Sequence, residues 1–355
     1  MKIGIVTHPF RTNYGGILQA FALQIVLEKI GHEVYFVRKE QKKTIARSLA
    51  MLIIDRFPTL LGHISIFFNY YKRMNFHAFV KKNIHRYYTL SNSKNENKLD
   101  ALVVGSDQVW RKWSENWDVM FFFLEFAKDW NVKRYSYAAS LGSDKWTFNE
   151  EDTNKIVYLL NRFDSISVRE RDAIEILKEK FNLKSRWNID PTLLLTKEDY
   201  IRYLCLMPIK KKSIISYILD EDPQKQKILK MLEDTLGSKA IKIGSPQNTC
   251  RKRDESLPSI ESWLTNFIAA EYVVTDSFHG TAFSINFNKN FVVLSNHYRG
   301  QSRLLSILSL FGLENRLVNN DAEAKNILQT PIDWNRINKV LEMERKKSMD
   351  YLNVM

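Results

Sequence analysis

The chain opens Lys2-Ile3-Gly4-Ile5-Val6-Thr7, passes through Thr12-Asn13-Tyr14-Gly15-Gly16, runs apolar from Ile17 to Lys29, halts at Gly31, and resumes as Glu33-Val34-Tyr35-Phe36-Val37-Arg38. A short buried run, a polar glycine loop, a helix-length apolar stretch, a glycine stop and a second apolar run read as a βαβ unit. Its strands are parallel and its crossover right-handed. Downstream, Ala101–Gly105, Arg134–Ala139, Asp164–Val168 and Trp187–Ile189 supply further strands, with a helix over Arg169–Lys180. Alternation of this kind gives an α/β sheet with helices on both faces.

Asp190-Pro191-Thr192 and the polar stretch Leu195–Lys212 suggest a boundary. Beyond it a second α/β unit alternates: strand Ser213–Leu219, helix Gln224–Leu236, strand Ala240–Ile243, a helix starting at Pro258, strand Tyr272–Thr275, a turn at Asp276-Ser277, a helix from Phe278, strand Phe291–Leu294 and a helix over Gln301–Phe311. Proline at a first helical position loses no intrahelical hydrogen bond, which favours the start at Pro258. The reading is therefore two doubly wound, Rossmann-like α/β domains, residues 1–194 and 195–330. A last helix within 331–355 packs back toward the first.

A length of 355 residues fits such a division. Apolar residues make up 45% and charged residues 26%, with 12 Gly and 8 Pro, which excludes disordered, collagen-like and disulfide-scaffold classes. Cys205 and Cys250 form no CxxC pair, so neither a zinc site nor a disulfide framework is indicated, and a reducing cytoplasm fits. The longest apolar run, Leu49–Ile54, is far short of the roughly 18 residues that span a bilayer. The net charge of +13 is uneven: eleven Lys and Arg lie between Arg38 and Arg86 against only Glu40 and Asp55, interleaved with aromatics from Phe57 to Phe79. That segment, 38–86, suits either a solvated basic face over buried aromatics or peripheral contact with an anionic membrane. No recognition-helix, zinc-finger or RNP pattern accompanies the charge, which argues against nucleic acid.

Ligands of doubly wound sheets sit beyond the carboxyl ends of the strands. Four segments have that placement. Asn13-Tyr14-Gly15-Gly16 offers close backbone approach and a helix N-terminus. Ser106, Asp107 and Trp110, behind Gly105, suit a sugar: polar groups for hydroxyls and an indole for a pyranose face. In Thr275-Asp276-Ser277-Phe278-His279-Gly280-Thr281, His279 has the setting of a general acid or base, flanked by Ser277, Gly280 and Thr281. Arg169, Arg299 and Arg303 fall at strand ends, where guanidinium groups hold carboxylate or phosphate bidentately. Each piece has a plain structural alternative: a tight turn, a core tryptophan, a surface ion pair.

In order, Asn13-Tyr14-Gly15-Gly16 with Gln19-Ala20, Gly105-Ser106-Asp107-Gln108-Val109-Trp110, Tyr137-Ala138-Ala139-Ser140, Ser167-Val168-Arg169-Glu170, Asp190-Pro191-Thr192 and Asp276-Ser277-Phe278-His279-Gly280 resemble the polysaccharide pyruvyl transferase family over about residues 1 to 315. The resemblance implies a GT-B-like pair of domains facing a cleft, acceptor on the N-terminal side and donor on the other. It also implies transfer of pyruvate from phosphoenolpyruvate to a sugar or lipid-linked oligosaccharide as a ketal, with no cofactor and no metal. His279 is then the candidate acid, Arg169 and Arg299 donor ligands, and Asp107 a group that binds or deprotonates sugar hydroxyls. A nucleotide-sugar glycosyltransferase and a noncatalytic carbohydrate-binding protein are the competing classes.

Overall fold

The computed structural model describes residues 1–39, 65–90, 99–114, 118–244, 257–296 and 301–355, with side chains from residue 73 onward in the second stretch. Most of the basic segment 38–86 and the whole of Cys250 and Arg299 lie outside the described residues.

Two parallel sheets carry the fold. The first is ordered β3-β2-β1-β4-β5, from β1 (Lys2–Val6), β2 (Glu33–Lys39), β3 (Tyr87–Leu90), β4 (Ala101–Val104) and β5 (Lys133–Ser136). The short pair β6 (Ser167–Val168) and β7 (Arg186–Trp187) extends its far edge through single bridges from Tyr135 to Ser165 and from Ala139 to Val168. The second sheet is ordered β12-β11-β10-β8-β9, from β8 (Lys212–Tyr217), β9 (Ile241–Lys242), β10 (Ala270–Thr275), β11 (Asn290–Leu294) and β12 (Leu317–Val318). β1, β4, β10 and β11 are buried along nearly their whole length. Helices cover both faces, so continuous apolar strands replace the alternation of a one-sided sheet. Each sheet has one point where the chain reverses its direction of progress, between β1 and β4 and between β8 and β10. Crevices open there, at the strands' carboxyl ends.

The glycine loop differs from expectation. The first helix begins at Tyr14 rather than Ile17, because Asn13 caps it by accepting from the Gly16 amide at 3.0 Å. Gly15 and Gly16 are thus its first turn. The helix expected from Pro258 starts at Ile260, capped by Ser259. The polar stretch 195–212 holds a helix, Lys197–Leu204, closed by a capping box of Thr196 and Asp199.

The two sheets share one apolar core. Tyr14 stacks on Trp263 at 5.4 Å and 14°, and its hydroxyl donates to the Pro258 carbonyl at 2.8 Å. Ile17, Phe21, Tyr217, Trp263 and Phe283 belong to the same cluster. The final helix, Trp334–Asn353, lies against the first sheet: Tyr351 donates to the Ser136 carbonyl at 2.8 Å, Asn188 to Ser348 Oγ at 3.1 Å and Arg345 Nε to the Leu193 carbonyl at 2.7 Å. No helix among the described residues is long and apolar enough to cross a membrane.

Candidate active site

The crevices of the two sheets meet. From the first, the chain leaves β4 through Gly105 and Ser106 into Asp107, which sits in the left-handed region at φ 74°, a conformation aspartate tolerates better than most residues. From the second, it leaves β10 through Asp276 and Ser277 into the helix Phe278–Asn286, with His279 in the first turn. The segment after β7 adds Asp190, and the residues after β6 add Arg169 and Glu170.

Arg169 is the hub. Its Nη1 donates to Asp190 Oδ2 at 2.9 Å, its Nε to Glu170 Oε1 at 3.2 Å, and its guanidinium lies 4.1 Å over the Phe278 ring. Nη2 stands 4.0 Å from Asp107 Oδ1. Burial opposes its charge, yet Glu170, Asp190 and Asp107 together raise its pKa. Asp190 also accepts from Ser106 Oγ at 2.8 Å and from Thr192, at 3.0 Å from the amide and 2.7 Å from the hydroxyl. Burial alone would push its carboxyl up; the His279 contact, Arg169 and the Thr192 amide outweigh it and hold the group well below the usual carboxylate range. Asp107 is likewise held low: His279, His8, Arg169 and Arg303 overcome its burial.

Two donors are left over. His279 Nε2 is 3.7 Å from Asp190 Oδ2, beyond hydrogen-bond reach. Neither it nor Arg169 Nη2, both buried, has a hydrogen-bond partner among the described residues. Buried donors without acceptors cost about 1–3 kcal/mol each, so two at one junction mark a place built to receive something. Gly15 explains how the histidine gets there. A Cβ on Gly15 would lie 2.0 Å from His279 Nδ1 and 2.1 Å from Cγ, so only glycine lets the helix from one sheet press on the imidazole from the other.

A family model for polysaccharide pyruvyl transferase matches residues 13–298, which takes in Gly15, Asp107, Arg169, Asp190 and His279. The chain belongs to the polysaccharide pyruvyl transferase family. No curated protein matches it significantly. Among solved structures, it is similar to a putative UDP-N-acetylglucosamine 2-epimerase from Listeria monocytogenes (10% identity, 96% of this chain and 91% of that one, TM-score 0.53). It is also similar to the UDP-GlcNAc 2-epimerase from Methanocaldococcus jannaschii (11% identity, 94% and 93%, TM-score 0.52). These likenesses show the fold alone, two Rossmann-like domains of GT-B type facing a cleft.

In this member of the family, the residues singled out from sequence divide by environment. His279, Arg169, Ser106 and Asp107 converge as described. Asn13 reaches Asp107 Oδ2 through its Nδ2 at 3.2 Å, and Gly16 leaves room for both, since its Cβ would fall 2.8 Å from Asn13 and 3.2 Å from Asp107. Arg303, on the helix Ser302–Phe311, is buried beside the same cluster. Burial and the Arg169 charge push its pKa down to about 10, against Glu170 and Asp107. Arg299 lies outside the described residues.

The rest serve the fold. Tyr14 is wholly buried, with its hydroxyl engaged across the domains. Trp110, at 1% exposure, is no sugar platform: it stacks on Phe123 at 5.3 Å and donates Nε1–H to the Phe122 carbonyl at 3.0 Å. Ser277 caps its helix by accepting from the Gly280 amide, Thr281 donates back to the Ser277 carbonyl at 3.0 Å, and Gly280 makes room for Thr275, whose Oγ1 a Cβ would meet at 2.2 Å.

Four residues of the junction were given no role in the sequence reading, although Glu170, Asp190 and Asp276 stand in the motifs quoted there. Asp190 looked like a domain boundary. Glu170 is buried beside Arg169, with Oε2 lacking a hydrogen-bond partner among the described residues. Asp276 knits the second crevice, accepting from the Leu219 and Asp220 amides at 2.6 and 3.1 Å, from Lys225 Nζ at 2.8 Å and from Asn296 Nδ2 at 2.9 Å. His8 follows β1, and its charge, like that of His279, acts on Asp107. A lone histidine before Pro9 gives no signal in sequence.

Proposed function

We propose that the junction binds phosphoenolpyruvate and that the protein transfers its pyruvyl group to two hydroxyls of a saccharide as a ketal, in the biosynthesis of a cell-surface polysaccharide. The observation that carries this reading is the pair of unpartnered buried donors, Arg169 Nη2 and His279 Nε2, flanking Asp190 at the meeting of the two crevices. A small trianion needs several fixed donors at one point. Burial, and after it repulsion from Arg169, lowers the Arg303 pKa, and an anion placed between the two guanidinium groups relieves the repulsion.

In this scheme Arg169 and Arg303 hold the phosphate and carboxylate. His279 delivers a proton to the enol methylene, C2 becomes electrophilic, and the first hydroxyl oxygen bonds to it. Phosphate leaves and the second hydroxyl closes the ring. Of the two hydroxyl protons, one is accounted for by the new methyl group and the other by the departing phosphate. Asp107, held low in pKa and hydrogen-bonded at both oxygens, by the Gln108 amide at 2.9 Å and by Asn13, makes a better orienting group than a base. The scheme uses no cofactor or metal and is set in the cytoplasm, and we assign contact with an anionic membrane or a lipid-linked acceptor to the basic segment 38–86.

The test is to incubate the protein with phosphoenolpyruvate and a panel of galactosides, glucosides and N-acetylmannosaminides, with mass spectrometry for the carboxyethylidene mass gain and an assay for released phosphate. His279→Ala should fold and lose activity. Release of nucleotide from a sugar-nucleotide donor, with no consumption of phosphoenolpyruvate, would move the protein to the glycosyltransferase class.

A further inference from the structure

Beyond the junction, the first sheet holds a cavity of about 430 Å³ at the carboxyl ends of β1 and β2. Its composition is graded. Its polar end is formed by Thr7, which is buried, and His8, whose charge couples to Asp107. The middle is walled by Phe10, Phe36, Phe121 and Phe122, with Phe10 edge-on to Phe36 at 5.2 Å and Phe121 edge-on to Phe122 at 5.3 Å. At the mouth stand two cations, Arg38 over the Tyr87 ring at 4.4 Å and Lys39 over the Phe121 ring at 5.2 Å. Lys39 is also paired with Asp118, so Arg38 carries the net charge of the rim.

A sugar ring covers an aromatic face or two, so four phenylalanines leave wall for an apolar body beyond it, and a plain hydrocarbon offers nothing to the polar end. The graded lining matches a molecule with a hydroxyl-bearing head, an apolar body and an anionic outer end. The polar end also gives a chemical reason for the head to enter first. His8 hydrogen-bonds the Gln108 backbone, packs its ring on Phe122 at 5.0 Å and lines the cavity. Its charge couples to the carboxylate of Asp107, as does that of His279. A neutral imidazole in that position takes a proton from a hydroxyl arriving through the cavity, and Asp107 stabilises the imidazolium that results, as a buried carboxylate does for a histidine base.

Resting on the donor reading above, we infer that this cavity is the acceptor subsite, that its occupant is a glycoside with an apolar aglycone, and that His8 is the base for the first hydroxyl. The hydroxyl proton passes to His8 as its oxygen bonds to C2 of the donor, and the C3 proton comes from His279. The departing phosphate takes the proton from His8, and the second hydroxyl gives its proton to His279 as its oxygen bonds to C2, so both imidazoles regain their starting states without a further reagent.

The experiment separates this inference from the donor reading. Octyl and methyl β-galactosides, β-glucosides and N-acetylmannosaminides are titrated, without donor and below micelle concentrations, against the full chain while the imidazole resonances of His8 and His77 are followed. At least one octyl glycoside should bind at least about tenfold tighter than its methyl counterpart, as burial of two or more methylenes requires, and should move both rings. Phe121→Ser and Phe10→Ser, two independent partly exposed walls, should each shrink that advantage to under about threefold. Octyl glycosides that bind no better than methyl ones, or that leave both rings unmoved, overturn the subsite. With phosphoenolpyruvate added, His8→Gln should lower kcat at least about 10²-fold while the Kd for phosphoenolpyruvate and the KM for the glycoside stay within about threefold. A His8→Gln protein with wild-type kcat overturns the role as base, as does a bound glycoside that phosphoenolpyruvate never converts. Wild-type protein that binds octyl glycosides but not phosphoenolpyruvate sinks the donor reading and leaves the cavity assignment standing.

Discussion

Gly15→Ala is the most direct probe of the junction, because it acts on His279 without touching a charged group. The added methyl would sit 2.0 Å from Nδ1, 2.1 Å from Cγ and 2.6 Å from Cε1 of the ring. Restoring ordinary contact at 3.4 Å takes a displacement of about 1.4 Å, and the ring has little freedom to yield, being buried between Phe278 and Asp190. Misplacing a reacting group by about 1 Å costs on the order of 10²-fold in rate. The folded state suffers less. Alanine in a helical turn gains up to about 1 kcal/mol over glycine, against about 1–3 kcal/mol for overpacking. Net stability should therefore change by no more than about 2 kcal/mol. Phosphate release from phosphoenolpyruvate, in the presence of a glycoside that the panel identifies as acceptor, measures kcat, and urea unfolding measures stability. We expect kcat to fall at least about 10²-fold in a folded protein. Gly16→Ala is the comparison: its Cβ would meet Asn13 at 2.8 Å and Asp107 at 3.2 Å and disturb the helix cap rather than the imidazole, so its loss of kcat should be smaller than that of Gly15→Ala. A Gly15→Ala protein with kcat within about threefold of wild type would refute the idea that the two helices must touch for His279 to work.

Three further outcomes follow from the same geometry. Arg169→Ala strips the partner from Asp190, Glu170 and Asp107 together, so it should cost about 3–5 kcal/mol of folding free energy rather than act on donor binding alone; a loss under about 1 kcal/mol by urea titration would contradict the hub role. Trp110→Phe should destabilise by about 1–3 kcal/mol through its lost Phe122 hydrogen bond and packing while leaving acceptor KM within about twofold, and a large KM change would restore the indole to the sugar site. His8 has its pKa lowered by burial, against the pull of Asp107. The unfolded imidazole gains its proton near pH 6.5, and the folded one only below that. Its contribution to stability is thus complete above about pH 6.5 and is lost as pH falls through the folded pKa. His8→Gln lacks this loss, so its stability relative to wild type should improve between about pH 7.5 and about pH 5.5; a constant difference would mean that His8 is not held neutral.

Much of the architecture was legible because it depends on local pattern. Apolar runs at β1, β4, β10 and β11, punctuated by Gly31 and Pro191, already spell an alternating α/β chain. What the pattern misjudged were helix starts. Asn13, Ser259 and the Thr196/Asp199 box each satisfy free amides at the head of a helix, and such caps decide the first turn where glycine or proline content misleads. The helix Lys197–Leu204 was legible in principle, since Thr196 and Asp199 stand three apart before an apolar-periodic stretch.

The site divided differently. Sequence alone determined that a histidine, an aspartate, glycines and arginines stand at strand ends, because strand-to-helix junctions are encoded within a few residues of each other. Only tertiary structure decided which of them meet. Asp190 and Arg169 are 21 residues apart and His279 another 89 beyond Asp190, yet one carboxylate oxygen serves the first pair and faces the third. Trp110 and Tyr14 have side chains that would suit a sugar as well as a core, and packing alone assigned them to the core. His8 is the converse case, ordinary in sequence and placed against Asp107 only by the order of strands in the sheet. The physical reason is that a residue's chemistry is set by burial and by charges a few ångströms away, and those neighbours come from the crossing of two sheets rather than from the chain on either side.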